Sequence, residues 1–196
     1  MESIILASSS PRRQSILKML NIPFQVIIPD IDENIDKSGN VFKVPEKLAV
    51  RKVEGCINML PRQRSIPWIL GADTMVCMDG ELYGKPSSAE EAAKYLNALQ
   101  GRQHFVITSI ALYNGRQKKI VTSTNITKVT FSKMDDKEIE WYVKTGEWHG
   151  AAGGYRIQEL ASCFIKEIEG SMSSVAGLPI SNLYDILKSQ GYSILE

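Results

Sequence analysis

The sequence predicts an α/β fold in which a mixed central sheet is flanked by helices, with residues 1–196 forming a single domain of two lobes around a cleft. Two observations carry this prediction. Short apolar runs bounded by Gly, Pro and Ser alternate along the chain with longer segments of helical period, the pattern of strands and covering helices. The length of 196 residues and the composition, 43% apolar and 23% charged, are those of a chain able to bury a sizeable core.

The elements follow in order. Ser3 to Ala7 reads as a buried strand. Ser10 stands at the N-cap and Pro11 at the first position of a helix that carries Ile16, Leu17 and Leu20 on one face. Phe24 to Ile28 reads as a second strand, and an acidic, polar stretch runs from Asp30 to Lys43. A helix from about Pro45 to Leu60 follows from the spacing of Leu48, Val53, Cys56, Ile57 and Leu60. Trp68 to Gly71 is a third strand, and Met75 to Met78 with Glu81 to Tyr83 form a hairpin about Asp79-Gly80. Ser88 with Glu91 is a capping box for a helix ending near Leu99, and Asp135 with Glu138 repeats the signal for a helix ending near Gly146. Between them lie two β-rich runs, Gln103 to Tyr113 and Lys119 to Phe131. Cys163 to Ile168 reads as a strand, and Pro179 to Gln190 as a terminal helix closed by Gly191.

Charge and composition exclude several classes. The formal net charge is +1, without the clustered basic surface of a nucleic-acid binder. No apolar stretch is long enough to span a bilayer, and the start, with Glu2 and no basic leader, does not read as a secretory signal. Cys56, Cys77 and Cys163 show no ligand spacing and read as buried reduced thiols of a cytoplasmic protein. His104 and His149 lack paired ligand spacing.

Four places put unusual chemistry at element ends. Ser8-Ser9-Ser10-Pro11-Arg12-Arg13 joins a strand to a helix. A helix N-terminus attracts anions, hydroxyls add donors, and arginine forks suit phosphate. The same residues also read as a Ser-Pro cap with two solvated arginines. They match neither GxxxxGK[ST] nor GxGxxG. Gly71-Ala72-Asp73-Thr74 follows an apolar strand, where Asp73 serves either as a metal ligand or water base, or as an ordinary turn residue. Asp30, Asp32 and Glu33 form either a cation-holding cluster or a solvated acidic loop. Lys52 and Lys85 are isolated cations beside apolar sequence, a setting in which surface lysines are common.

Together these pieces resemble a known family. LASSSPRR, DIDE at 30–33, LAVRK ending at Lys52, GADTMV at 71–76, GKP at 84–86, GRQH at 101–104, YRIQ at 155–158 and GLP at 177–179 occur in the order found in the Maf nucleoside triphosphate pyrophosphatases, and the chain resembles their dTTP/UTP branch end to end. The resemblance implies a fold similar to that of inosine triphosphatases. It also implies hydrolysis of dTTP, UTP and modified pyrimidine nucleotides to monophosphate and pyrophosphate, with a divalent cation, Mg²⁺ or Mn²⁺, as cofactor. By the same resemblance Asp73 is the general base or metal-assisted activator of water, and Glu33 its acidic partner at the metal. Ser8, Ser10, Arg13, Lys52 and Lys85 contact phosphates, while Arg12, Thr74 and Gln158 mark the pyrimidine branch. It further implies a homodimer without nucleic-acid or membrane partners.

Two departures accompany the match. The branch commonly carries Asp-Lys-Ala-Gly where this chain has Gly150-Ala151-Ala152-Gly153, so a cation is missing. Arg156 lies five residues on, a reach of up to about 17 Å when extended, and takes the lysine's place only if the glycine-rich loop folds back. Gln100 stands where serine often precedes Gly101. The alternatives are a broad or purine-preferring pyrophosphatase and a nucleotide-binding regulator with little turnover.

Overall fold

Alternation of side chains along β1 (Ile4–Leu6) assigns its residues to two different cores. Ile4 and Leu6 pack with Leu17 of α1 (Pro11–Met19) and with Leu183, Ile186 and Leu187 of α5 (Ile180–Ser189). Ile5 and Ala7 pack with Ala49, Val53 and Cys56 of α2 (Val44–Met59). The same period runs through β3 (Trp68–Met78), where Trp68, Leu70 and Ala72 join the first core and Ile69 the second. Helices therefore cover both faces of this part of the sheet, the mixed α/β arrangement that the sequence predicts.

The structure is a computed structural model and describes residues 1–34, 39–61 and 68–195; residues 35–38 of the acidic stretch lie outside them. The strand order is β2-β1-β3-β5-β6-β7, with β4 paired to β3. Here β2 is Phe24–Val26, β4 Glu81–Tyr83, β5 Gln103–Asn114, β6 Lys119–Phe131 and β7 Ile165–Glu169. β1 pairs parallel with β2 and with β3, whereas β4 on β3 and β7 on β6 are antiparallel.

The chain divides into two compact units. The first, residues 1–73, 108–125 and 177–196, holds the two cores just described. The second, residues 74–107 and 126–176, has its own core. There Val76, Val106, Val129 and Phe131 pack with Leu96 and Leu99 of α3 (Ala89–Leu99) and with Ile139 and Tyr142 of α4 (Asp136–Thr145). Among the described residues no helix is long and apolar enough to cross a membrane.

Several expectations change. The third strand does not stop at Gly71 but continues to Met78, so Asp73 lies within β3 rather than after a strand. Gly71 is required there, because a Cβ would sit 2.4 Å from the carbonyl oxygen of Ala49. The strand expected from Cys163 begins at Ile165, since residues 160–164 form a 3₁₀ turn. Cys163 is exposed rather than buried, while burial pushes the Cys56 thiol up to about 11. The Asp135–Glu138 capping box forms. At Ser88 only half a box forms, because the Glu91 carboxylate accepts from the Ser87 amide and hydroxyl instead. The side chain of Gln100 accepts from the Met134 amide, so the departure at that position has a structural role.

The second core contains a buried histidine. His104 is 1% exposed, its Nε2 lies 2.8 Å from the Tyr155 hydroxyl, and burial lowers its pKa from 6.5 to about 4. The unfolded chain takes up this proton as pH falls below 6.5, whereas the folded chain resists until about 4. This group therefore removes stability as pH drops through that window, by about 3 kcal/mol in total. Urea unfolding of the wild type and of His104→Gln at a series of pH values checks this: the wild type loses about that much more stability than the variant between pH 6.5 and 4.

Candidate active site

The acidic half of the site is built on the face of β3 that carries Ile69, Gly71 and Asp73 toward α2. On α2, Leu48, Lys52 and Cys56 are spaced by four and all three are buried, so Lys52 projects inward where its neighbours are apolar. Its ammonium donates to Asp73 Oδ1 at 2.6 Å and lies 3.0 Å from Glu33 Oε1. Lys52 and Asp73 are 7% and 5% exposed. A buried ion pair is a poor source of stability, because desolvation offsets most of the attraction. Its placement here therefore points to function. The second carboxylate oxygen, Asp73 Oδ2, is buried with no hydrogen-bond partner among the described residues, a position that a water or a cation would satisfy.

Glu33 is brought to this lysine by its backbone as well as its side chain. Arg51 Nη1 donates at 3.0 Å to the carbonyls of both Asp32 and Asn34, which flank Glu33. Asp32 Oδ1 accepts from the Asn34 amide, so this carboxylate shapes the turn, and Asp30 is exposed. Of the three acidic residues, Glu33 alone has an ion pair among the described contacts. Gly55 lets the preceding chain approach α2, since a Cβ there would lie 2.7 Å from Ile31 and 2.8 Å from Pro29. Sequence reasoning missed both Arg51 and Gly55. A glycine in the middle of an otherwise periodic helix was the available signal for a close approach.

The basic half lies at the start of α1, in the same unit. Arg13 occupies the inward face one turn before Leu17 and is 8% exposed. Its Nε donates to the Gly177 carbonyl at 2.8 Å and its Nη1 to Ser8 Oγ at 2.9 Å. Ser8 Oγ also accepts from the Ser10 amide at 3.2 Å. With both lone pairs of Ser8 engaged, its hydroxyl proton is the part left to donate. Ser10 holds the N-cap position, yet its side chain makes no capping bond, and no acidic residue stands in the first turn. The first turn of the helix thus carries no acidic residue of its own to complement its positive end. Burial lowers the pKa of Arg13, Asp73 and Glu33 oppose that shift through their charges, and Arg12 adds to it. Arg13 thus feels both carboxylates. Gly177 has φ +109°, a backbone conformation that favours glycine at the position whose carbonyl anchors Arg13.

Ser8, Ser10, Arg12, Arg13, Glu33, Lys52 and Asp73 all belong to the first unit, and Thr74, Lys85 and Gln158 to the second. Within the second unit, the Gly153 amide donates to the Gly84 carbonyl at 2.9 Å. This joins the loop of exposed Lys85 to the glycine-rich loop that leads to exposed Gln158. Ala151 is buried, so no cation stands there. The loop does fold back: Arg156 Nη2 donates to the His149 carbonyl at 3.0 Å. The Arg156 charge is nevertheless spent locally, on Glu159 at 3.2 Å.

Relatives match this chain over their full length. The chain is 42% identical to the dTTP/UTP pyrophosphatase of Desulforamulus reducens and 40% identical to that of Pelotomaculum thermopropionicum, each over 195 residues and 100% of both chains. The Ham1 protein of Staphylococcus aureus has a similar fold, with a TM-score of 0.52 over 96% of this chain and 97% of that one at 14% identity. Residues 3–190 match the family model described as Maf-like protein, and the chain belongs to the Maf family.

Proposed function

We propose that this chain hydrolyses dTTP and UTP to the monophosphate and pyrophosphate. The observation that carries the reading is the Lys52 ammonium between Asp73 and Glu33, with the buried Asp73 Oδ2 left without a partner among the described residues. The dTTP/UTP pyrophosphatases that this chain resembles over its full length support the substrate.

The chemistry follows from the two halves of the site. A water attacks the α-phosphorus, the bond from that phosphorus to its bridging oxygen breaks, and pyrophosphate leaves with the bonding pair. Lys52 engages Oδ1 of Asp73 and leaves Oδ2 for the attacking water, either as the acceptor of its proton or as a ligand of the cation that activates it. Arg13, Arg12 and the Ser8 hydroxyl, with the N-terminus of α1, supply donors and positive charge for the triphosphate. Ser10 presents a hydroxyl not used in capping. By the resemblance alone, Lys85 is assigned as a phosphate contact and Thr74 and Gln158 as residues that select the base. The amide of Gln158 suits that task because it both donates and accepts.

The residues fit a divalent cation. Among the described residues no group of three or more His, Cys, Asp or Glu is arranged to hold a metal. Mg²⁺ and Mn²⁺ need fewer, taking one or two carboxylates and completing the shell with phosphate oxygens and water. Asp73, through its unpartnered Oδ2, and Glu33 would hold it. Bound there, the cation supplies neutralisation of charge on the phosphate oxygens.

Pyrophosphate release from a panel of nucleoside triphosphates with Mg²⁺ or Mn²⁺ tests the reading. Turnover of dTTP and UTP above the purine nucleotides is expected, and Asp73→Asn lowers kcat by about 10²–10⁴-fold. Full activity in Asp73→Asn refutes the assignment; turnover led by purine nucleotides refutes the substrate. Arg51→Ala, which frees the backbone on either side of Glu33, raises the Mg²⁺ concentration for half-maximal activity by about 10-fold with the thermal midpoint little changed. A magnesium titration at saturating dTTP reads this directly.

A further inference from the structure

We infer that His104 and Tyr155 are a positioning pair that sets the segment carrying Gln158, and through it the choice of base. The inference rests on the proposed function for its consequence, but the pair is seen in the second unit alone. Tyr155 is 5% exposed and lies in the same core as Phe131, Val106 and Ile157. Its ring meets Phe131 edge-on at 4.8 Å between centroids, and Phe131 meets His104 edge-on at 5.1 Å. The rings fix where Tyr155 sits, and the 2.8 Å bond to His104 Nε2 fixes where its hydroxyl points.

Stability does not account for this pair. Burying an imidazole and a phenol is costly without full hydrogen bonding, and His104 Nδ1 is buried with no partner among the described residues. Two phenylalanines would fill the same apolar space without that cost. What the polar pair adds is direction, and the chain immediately downstream shows where the direction is used. The Arg156 amide donates to the Tyr142 hydroxyl at 3.2 Å, and Ile157 is 2% exposed. Tyr155 and Ile157 are thus buried on either side of Arg156, whose backbone amide is held, and Gln158, the next residue, is exposed. Any displacement of Tyr155 is passed to Gln158 across only two intervening residues. Burial keeps the His104 imidazole neutral and raises the Tyr155 hydroxyl pKa, so the bond joins two neutral groups throughout the neutral pH range.

The test compares the full-length wild type with Tyr155→Phe, which keeps the ring and removes the hydroxyl, and with His104→Gln, which keeps a polar partner. Without nucleotide, amide exchange of residues 156–159 in Tyr155→Phe is expected to speed up about fivefold, the worth of one neutral hydrogen bond. Exchange in α3 and α4 stays as in the wild type. With nucleotide, KM for dTTP rises by a similar factor, the preference for dTTP over purine nucleotides falls with it, and kcat is unchanged. His104→Gln, which leaves the Tyr155 hydroxyl a polar partner, shows both effects to a smaller extent. Unchanged exchange at 156–159, or an increase spread evenly over the second unit, overturns the inference, as does unaltered base preference beside faster local exchange. A wild type that shows no pyrimidine preference refutes the proposed function instead, and the exchange measurement still decides whether the pair positions the segment.

Discussion

The ammonium of Lys52 organises the acidic half of the site. It is buried on the inner face of α2, and it draws to one point a carboxylate from the middle of a strand and another from a loop after β2. A buried charge that loses its partner is costly, so removing either Lys52 or Asp73 alone destabilises the site. The pairing occupies one oxygen of Asp73, and the second is buried without a hydrogen-bond partner among the described residues. At the head of α1, burial lowers the Arg13 pKa and the charges of Asp73 and Glu33 oppose that shift.

Around this point the fold supplies rigidity where the chemistry needs it. Gly71 allows β3 to come against the backbone of α2, and Gly55 allows the chain before Glu33 to do the same from outside. Arg51 and Lys52, adjacent on the helix, hold the acidic loop by its carbonyls and by its side chain respectively. Arg13 is held by a carbonyl at Gly177, a position 164 residues away in the chain. The serine, arginine, lysine and aspartate positions of the first unit thus owe their geometry to the two cores that cover its sheet.

Much of this was legible in the sequence, and the reasons for the rest are physical. Helix periods, the Asp135 cap and the apolar strands declared themselves because each is written in local residues. The order of the short motifs carried the family. The continuation of β3 through Asp73 was not legible, because Gly71 and Asp73 look like a strand end until the helix packed against them is known. Ser88 illustrates a similar limit: Glu91 had an equally good acceptor task one residue earlier, at Ser87. Arg51 and Gly177 act through backbone carbonyls, which leave no signature in side-chain spacing. The fold-back of Arg156 depended on glycines at positive φ, Gly150, Gly153 and Gly154, whose conformations composition alone does not reveal.

A double-mutant stability cycle on Lys52 and Asp73 tests the central interaction most directly. Lys52→Met alone strands a buried carboxylate and is expected to cost about 3–5 kcal/mol of unfolding free energy. Joined to Asp73→Asn, the same change should cost far less, with a coupling of at least about 2 kcal/mol. Costs that simply add would contradict the account, since the lysine would then not be the partner that holds the aspartate in place.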